Sequence, residues 1–180
     1  MAVNGIESPL GDLMVEGVEL PAKLFSRHFK QYLFFDADIS SSVAMISAVQ
    51  EAVVSCFGRD HEVQVFSSSN RHLVGRLDRR MDWSVGICLL GKKIRESGDV
   101  GGFTLLDESL RWIAYQSRPV DIGIFAIDCD VKIRGIPSVA DSFFDKSDIS
   151  GWLGGKSQRE IDLVESFGKE FLARLVENYN

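Results

Sequence analysis

Two pairs of aspartates each follow an apolar segment of the chain: Asp36 and Asp38 in its first half, and Asp128 and Asp130 in its second. If both apolar segments are strands of an α/β sheet, their carboxyl ends meet at one edge, where such sheets bind ligands. Clustered carboxylates suit Mg²⁺, because a hard cation takes oxygen ligands. One hypothesis is therefore a magnesium site formed by these four residues.

The first pair resembles the catalytic motif of the haloacid dehalogenase phosphatase superfamily. The segment Asp36-Ala37-Asp38-Ile39-Ser40 stands where that family has DxDx(T/V), a nucleophilic Asp followed by an acid/base Asp. The resemblance implies that Ser67, after a second strand, and Lys92 complete the catalytic set. It also implies that Asp128 and Asp130 bind metal, so that the protein is a Mg²⁺-dependent phosphatase.

A second interpretation gives these aspartates a structural role only. Asp38 is a good N-cap for a following helix, and Asp128 and Asp130 are ordinary residues of a turn that ends a strand. We favour this interpretation, under which the protein is not an enzyme and needs no cofactor.

A glycine-rich segment ends like a phosphate-binding loop. Gly154-Gly155-Lys156-Ser157 matches the end of G-x-x-x-x-G-K-[ST], but the first glycine of that motif falls on Ser150. No apolar strand precedes the segment. We therefore predict a turn in which Ser157 caps the next helix.

Composition and charge limit the classes of function that the chain can have. The 180 residues, 45% apolar and 26% charged, suit one globular domain and exclude collagen-like or disordered chains. With 20 Lys and Arg against 26 Asp and Glu, the net charge is −6, which disfavours direct nucleic-acid binding. Residues 71–95 differ, because seven Lys and Arg against two Asp give +5. The favoured interpretation there is a solvated helix face, and the alternative is a patch for an acidic partner or phosphate.

The cysteines and the start of the chain suggest a compartment. Cys56, Cys88 and Cys129 lie in apolar segments without zinc-ligand spacing, so we expect buried free thiols in a reducing cytoplasm. The first 20 residues carry four acidic side chains and no apolar core, unlike a signal peptide. Apolar runs are too short to span a membrane. These features predict a cytoplasmic location.

Apolar periodicity predicts an α/β or mixed α+β fold, with a central sheet of about five strands flanked by helices. Strands are expected at 31–35, 62–66, 83–90, 103–106 and 120–127, and helices at 39–57, 69–80, 108–116 and 157–175. Asp38 or Ser40 is expected to cap the first helix, and Gly58 to end it. Ser157 and Glu160 form a capping box that starts a long C-terminal helix. Residues 1–28 are predicted to be an arm beside a single domain, 29–180.

The predicted helix 108–116 offers a candidate binding surface. Its helical spacing puts Glu108, Trp112 and Tyr115 on the side opposite to the apolar residues. Exposed aromatic residues beside carboxylates suit an interface for a basic protein partner. The predicted partner-binding residues are Asp107, Glu108, Trp112, Tyr115 and Asp121. The alternative is that Trp112 packs under a neighbouring loop.

The stretch LDESLRWIAYQSRPVDIGIFAID resembles segments of bacterial toxin-immunity proteins, including those of contact-dependent growth inhibition. The resemblance implies one cognate protein toxin, often a basic nuclease, whose active site is blocked by tight binding. Surface carboxylates would mimic the phosphates that a nuclease site expects. The sequence thus predicts an acidic, non-enzymatic immunity protein that binds no membrane.

Overall fold

The structure, a computed structural model, describes residues 9–59, 62–78 and 80–180. Its strands are β1 (Gln31–Phe35), β2 (Val63–Ser67), β3 (Leu73–Leu77), β4 (Phe103–Asp107), β5 (Trp112–Tyr115) and β6 (Gly123–Ile127). They form one sheet in the order β1-β6-β5-β4-β2-β3, and every neighbouring pair is antiparallel. The predicted combination of a central sheet with flanking helices is confirmed, in its α+β form.

Helices cover both faces of this sheet. They are α1 (Pro9–Leu13), α2 (Val43–Phe57), α3 (Trp83–Glu96), α4 (Lys146–Leu153), α5 (Gln158–Phe167) and α6 (Lys169–Asn178), with 3₁₀ turns at Ile133–Gly135 and Ala140–Ser142. On one face α2 and α3 enclose a core around Phe35, Val65 and Phe125. On the other face the N-terminal arm, α4 and α6 enclose a second core. The sheet is therefore the middle layer of three.

The first long helix ends at Gly58, as predicted, with Gly58 at φ +81°. It begins at Val43, later than expected, and its N-cap is Ser42, whose side chain accepts from the Met45 amide. Asp38 instead holds the preceding turn, because its Oδ1 accepts from the amide of Ser40 at 2.8 Å. The carboxylate thus stabilises the loop from β1 to α2 rather than the helix itself.

The basic segment 71–95 folds differently from the prediction. The expected helix 69–80 is a turn followed by edge strand β3, and the expected strand 83–90 lies within helix α3. Asp82 caps α3 by accepting from the Ser84 amide at 2.9 Å. Ile87 and Ile94 face the core two helical turns apart. A short apolar run fits either a buried strand or a buried helix, and here the helix prevails.

The predicted helix 108–116 is a tight hairpin that leads into β5. The side chain of Asp107 accepts from the amide of Ser109 at 3.0 Å, which forms the turn. Strand β5 then runs between β4 and β6 in the middle of the sheet. All four of its residues are buried, because both faces of the sheet are covered.

The predicted C-terminal helix is present, and Gly168 divides it into α5 and α6. Ser157 and Glu160 form the expected capping box at the start of α5. Gly168 has φ +90°, a conformation that favours glycine, and it turns the chain between the two helices. The division creates a corner on the surface where α5 meets α6.

The described part of the N-terminal arm packs into the second core. Leu24 is fully buried, and its amide donates to the Tyr179 hydroxyl at 2.9 Å. The same hydroxyl donates to the Ala22 carbonyl at 2.5 Å. Burial raises the pKa of Tyr179, which keeps this hydroxyl protonated and able to donate. The arm and the end of α6 are therefore held together by hydrogen bonds.

Two of the three cysteines form a disulfide, which corrects the expectation of free thiols. Cys56, at the end of α2, is bonded to Cys129, which follows β6. Only Cys88 is a free thiol in the structure. The pairing joins residues 73 apart in sequence, so local spacing held no signal for it. The argument for a reducing compartment from free thiols therefore no longer holds. Among the described helices, none is sufficiently long and apolar to cross a membrane.

Candidate functional site

The four aspartates do not form one site. Strands β1 and β6 are antiparallel neighbours, with Phe35 opposite Gly123 and Gln31 opposite Ile127. The residues after β1 therefore lie at one end of the sheet, here called the Phe35 end. The residues after β6 lie at the other, the Ile127 end, on the order of 15 Å away along the strands. The hypothesis of a shared magnesium site required parallel strands and is wrong.

The aspartates at the Ile127 end hold the N-terminal arm in place. Asp128 pairs with Arg27 at 3.0 Å and accepts from the Lys30 amide at 3.2 Å. Asp130 pairs with the Lys30 ammonium at 2.8 Å. At the other end, Asp38 shapes its own loop. Within residues 9–59, 62–78 and 80–180, no three His, Cys, Asp or Glu side chains are grouped to hold a metal ion.

The other members of the phosphatase-like set are also apart. Ser67 ends β2, four strand positions from β1, which is roughly 19 Å across the sheet. Its hydroxyl donates to Asp99 at 2.6 Å, and this bond is the main cause of the lowered pKa of Asp99. Lys92 lies exposed on α3, where its ammonium is 3.8 Å from Glu96. The set therefore lacks the convergence that phosphoryl transfer needs.

Magnesium is expected to leave the melting temperature unchanged. Because the aspartate pairs lie at opposite ends, no pair gains the extra oxygen ligands that would let Mg²⁺ favour the folded state. The measurement is thermal unfolding with about 5 mM MgCl₂ against NaCl of matched ionic strength, where we expect a difference below about 1 °C. A magnesium-induced rise of several degrees in the melting temperature, abolished by Asp36→Asn, would show that Asp36 does take part in a magnesium site.

Most of the predicted partner-binding residues are in the interior, which corrects the helix-based surface. Trp112 is 0% exposed and stacks on Trp83 with ring centroids 5.7 Å apart. Tyr115 is buried in the second core, and Asp107 is buried in the hairpin turn. Trp112 is therefore a packing residue, as the alternative held, but it packs against Trp83 of α3 rather than under a loop.

The two remaining predicted residues are accessible but distant from each other. Glu108 is exposed at the Ile127 end, and Asp121 is partly exposed at the Phe35 end. Asp121 pairs with Arg118, with Oδ2 and Nε 2.9 Å apart. The five residues therefore share no surface, and Asp121 adjoins a cavity at the Phe35 end.

The GGKS segment is a turn, as predicted. Glu160 Oε2 accepts from the amides of Lys156 at 2.7 Å and Ser157 at 2.8 Å. In a P-loop these amides would donate to a phosphate. Here they donate to the Glu160 side chain of the capping box instead.

A cavity of about 420 Å³ opens at the Phe35 end, between the arm, the β5–β6 loop and the corner where α5 meets α6. We call it the corner pocket. Its apolar lining comes from Leu20, Val120, Ile122, Phe167 and Phe171. Phe167 and Phe171 lie on either side of Gly168, so the break in the helix shapes the pocket.

Carboxylates border the apolar lining. Glu19 lies on the arm side and Asp121 on the loop side, with Arg118 between the pocket and a shallower depression of about 710 Å³. The hydrogen bond and charge of Asp121, with the charge of Glu19, raise the pKa of Arg118. This arrangement can accept an apolar side chain whose neighbours are basic. Among these residues the sequence pattern indicated only Asp121, because Glu19, Phe167 and Phe171 come from distant segments.

Comparisons with protein-family models, with curated proteins and with solved structures found no significant match to this chain.

Proposed function

We propose that this protein is a non-enzymatic immunity or inhibitor protein, which binds a basic protein toxin and blocks its active site. The corner pocket carries the proposal, because apolar side chains such as Phe167 and Phe171 beside the carboxylates of Glu19 and Asp121 suit a basic protein surface. The partner would insert an apolar side chain against Phe167 and Phe171. Its neighbouring Lys or Arg would pair with Glu19 and would compete with Arg118 for Asp121. This binding requires no cofactor.

The charge distribution supports a basic partner. The +5 segment 71–95 contains β3, at the edge of the sheet, and α3, which packs on the face of the sheet opposite to α5 and α6. The rest of the chain has 13 Lys and Arg against 24 Asp and Glu, a net charge of −11. The surfaces outside β3 and α3 are therefore more acidic than the overall charge suggests. Opposite charge increases the association rate and opposes wrong partners.

The pocket is held in shape before any partner arrives. Gln116 is fully buried, and its Nε2 donates to the Asp121 carbonyl at 2.8 Å and to the Ala37 carbonyl at 3.3 Å. Its Oε1 accepts from the Ile39 amide at 3.0 Å. These bonds fix the loop that carries Asp121. Binding to a preformed pocket loses little conformational entropy, which favours tight association.

The test uses the proteins encoded next to this gene as candidate toxins. Each is expressed with and without this protein, and growth protection and the dissociation constant are measured. We expect one neighbour to be neutralised. We expect Glu19→Lys with Asp121→Asn to weaken that complex at least tenfold, about 1.4 kcal/mol. The matched control, Glu108→Lys at the Ile127 end, should leave affinity unchanged.

Two results would contradict the proposal. One is that no neighbouring product is bound or neutralised. The other is that the pocket variant, with an unchanged melting temperature, keeps both the association and the dissociation rate of the wild type.

A further inference from the structure

Arg118 lies on the border between two cavities at the Phe35 end. It lines the corner pocket together with Glu19 and Asp121, and it lines the neighbouring depression together with Glu19 and Asp99. Its Nε is 2.9 Å from Asp121 Oδ2, and its side chain is 67% exposed. The guanidinium therefore occupies one of the two carboxylates that the proposed function assigns to a basic partner, and its exposed side chain is free to rotate.

Asp99 lies close to this guanidinium, on the loop from α3 to β4. The Gly102 amide of that loop donates to the Ser117 carbonyl at 2.7 Å, so the loop is bonded to the β5–β6 loop, which carries Arg118. Asp99 and Arg118 also line the same depression of about 710 Å³. The depression thus gives the Arg118 side chain a second carboxylate within its own surroundings.

The carboxylate of Asp99 has room for another donor. It accepts from the Ser67 hydroxyl at 2.6 Å, from the Gly101 amide at 2.8 Å, and from the Ser69 hydroxyl, which is 3.0 Å from both of its oxygens. These donors are uncharged, and three of them leave open about one of the roughly four lone-pair positions of a carboxylate. The lowered pKa of Asp99 keeps it ionised at neutral pH. Asp99 therefore presents a negative charge that an additional cation can share.

We propose that Arg118 sets the specificity of the corner pocket by competing with the partner for Asp121, and that it moves to Asp99 when the partner displaces it. This proposal rests on the proposed function, because it concerns the same pocket. A cation alone would bind weakly, since its affinity is reduced by the fraction of molecules in which Asp121 is occupied. A partner that also inserts an apolar side chain against Phe167 and Phe171 would offset this cost. The pocket would thus reject proteins that are merely basic.

The other positions available to Arg118 are less favourable. If it stayed on Asp121, it would lie beside the cation of the partner, and like charges in contact oppose binding. Glu19 would already be engaged by the partner. Asp99 is the remaining carboxylate that lines either cavity.

The test uses peptides selected on the wild-type chain from a random library displayed on phage, so that it does not depend on finding the toxin. We expect the selected peptides to combine an apolar residue with Lys or Arg. Arg118→Gln removes the competitor, and we expect it to bind the best peptide at least about threefold more tightly than the wild type. The control is Arg159→Gln, the same change at an exposed position at the opposite end of α5 from Phe167, which should leave the dissociation constant unchanged.

A double-mutant cycle tests the role of Asp99. In the wild-type background, Asp99→Asn should weaken peptide binding at least about threefold, because the displaced Arg118 loses its new partner. In the Arg118→Gln background the same change should alter the dissociation constant by less than about twofold. Melting temperatures confirm that every variant is folded.

Three results would overturn the proposal: no peptide is selected, Arg118→Gln binds no more tightly than the wild type, or Asp99→Asn weakens binding equally in both backgrounds. The last result would assign Asp99 to direct contact with the partner. The proposed function is judged separately. The expected peptide results without a neutralised neighbouring product would uphold the role of Arg118 and contradict the immunity function. Neutralisation of a toxin whose affinity Arg118→Gln leaves unchanged would do the reverse.

Discussion

Reduction of the Cys56–Cys129 disulfide is expected to lower the free energy of unfolding by about 4 kcal/mol. The bond joins residues 73 apart, so breaking it restores much conformational entropy to the unfolded chain. It also connects the end of α2 to the segment after β6, beside the core around Trp112 and Phe125. Urea unfolding with and without a reductant measures the change. A loss of this size is a large part of the roughly 5–15 kcal/mol typical of a domain.

Variants separate the disulfide from general effects of the reductant. Cys56→Ser with Cys129→Ser should reproduce the loss without any reductant. Cys88→Ser, at the free thiol, should change stability far less. Thiol titration of the unfolded, unreduced wild type should detect one cysteine. Detection of three would show that the bond is absent in solution.

Replacement of Trp112 by Ala is expected to cost about 3–5 kcal/mol. Trp112 is fully buried between Trp83 and Phe125, with ring centroids 5.7 Å and 6.3 Å away, so truncation leaves a large cavity in the first core. Within the described residues its indole Nε1 has no hydrogen-bond acceptor. Trp112→Phe therefore loses no bond and should cost much less than Trp112→Ala. Denaturant unfolding measures both.

A comparison with Glu108 also tests whether Trp112 lies in the interior. Glu108→Ala, in the same hairpin but exposed, should change stability by less than about 0.5 kcal/mol. If Trp112→Ala kept full stability and lost only partner binding, Trp112 would be an interface residue, as the helical interpretation of 108–116 proposed.

Much of the sheet could be predicted from sequence because its apolar segments are short and bounded by turns. Strands β1, β2, β4 and β6 were expected close to where they lie. Strand β5 was not, because both faces of the central sheet are covered and its four buried residues show no alternation. Helix α3 was mistaken for a strand because Val85 and Leu89 occupy the side where a helix usually has polar residues.

The site depended on long-range features that the sequence pattern does not encode. The aspartate pairs separate because β1 and β6 run in opposite directions. The corner pocket combines Glu19, Asp121 and Phe167, which belong to the arm, a loop and a helix end. Helical periodicity could not show that Gly168 bends the chain beside Phe167. Strand direction and helix breaks are decided by packing, and they decide which side chains meet.

Residues 71–95 carry +5 and the rest of the chain −11, so positive and negative charge are unevenly distributed over the molecule. In the field of a charged macromolecule a protein with this charge distribution rotates before contact, so that certain orientations of encounter are favoured. A basic partner would meet the acidic side first, and an acidic one would meet the α3 side. Added salt would shorten the range of this alignment, since the Debye length falls to about 8 Å at physiological ionic strength.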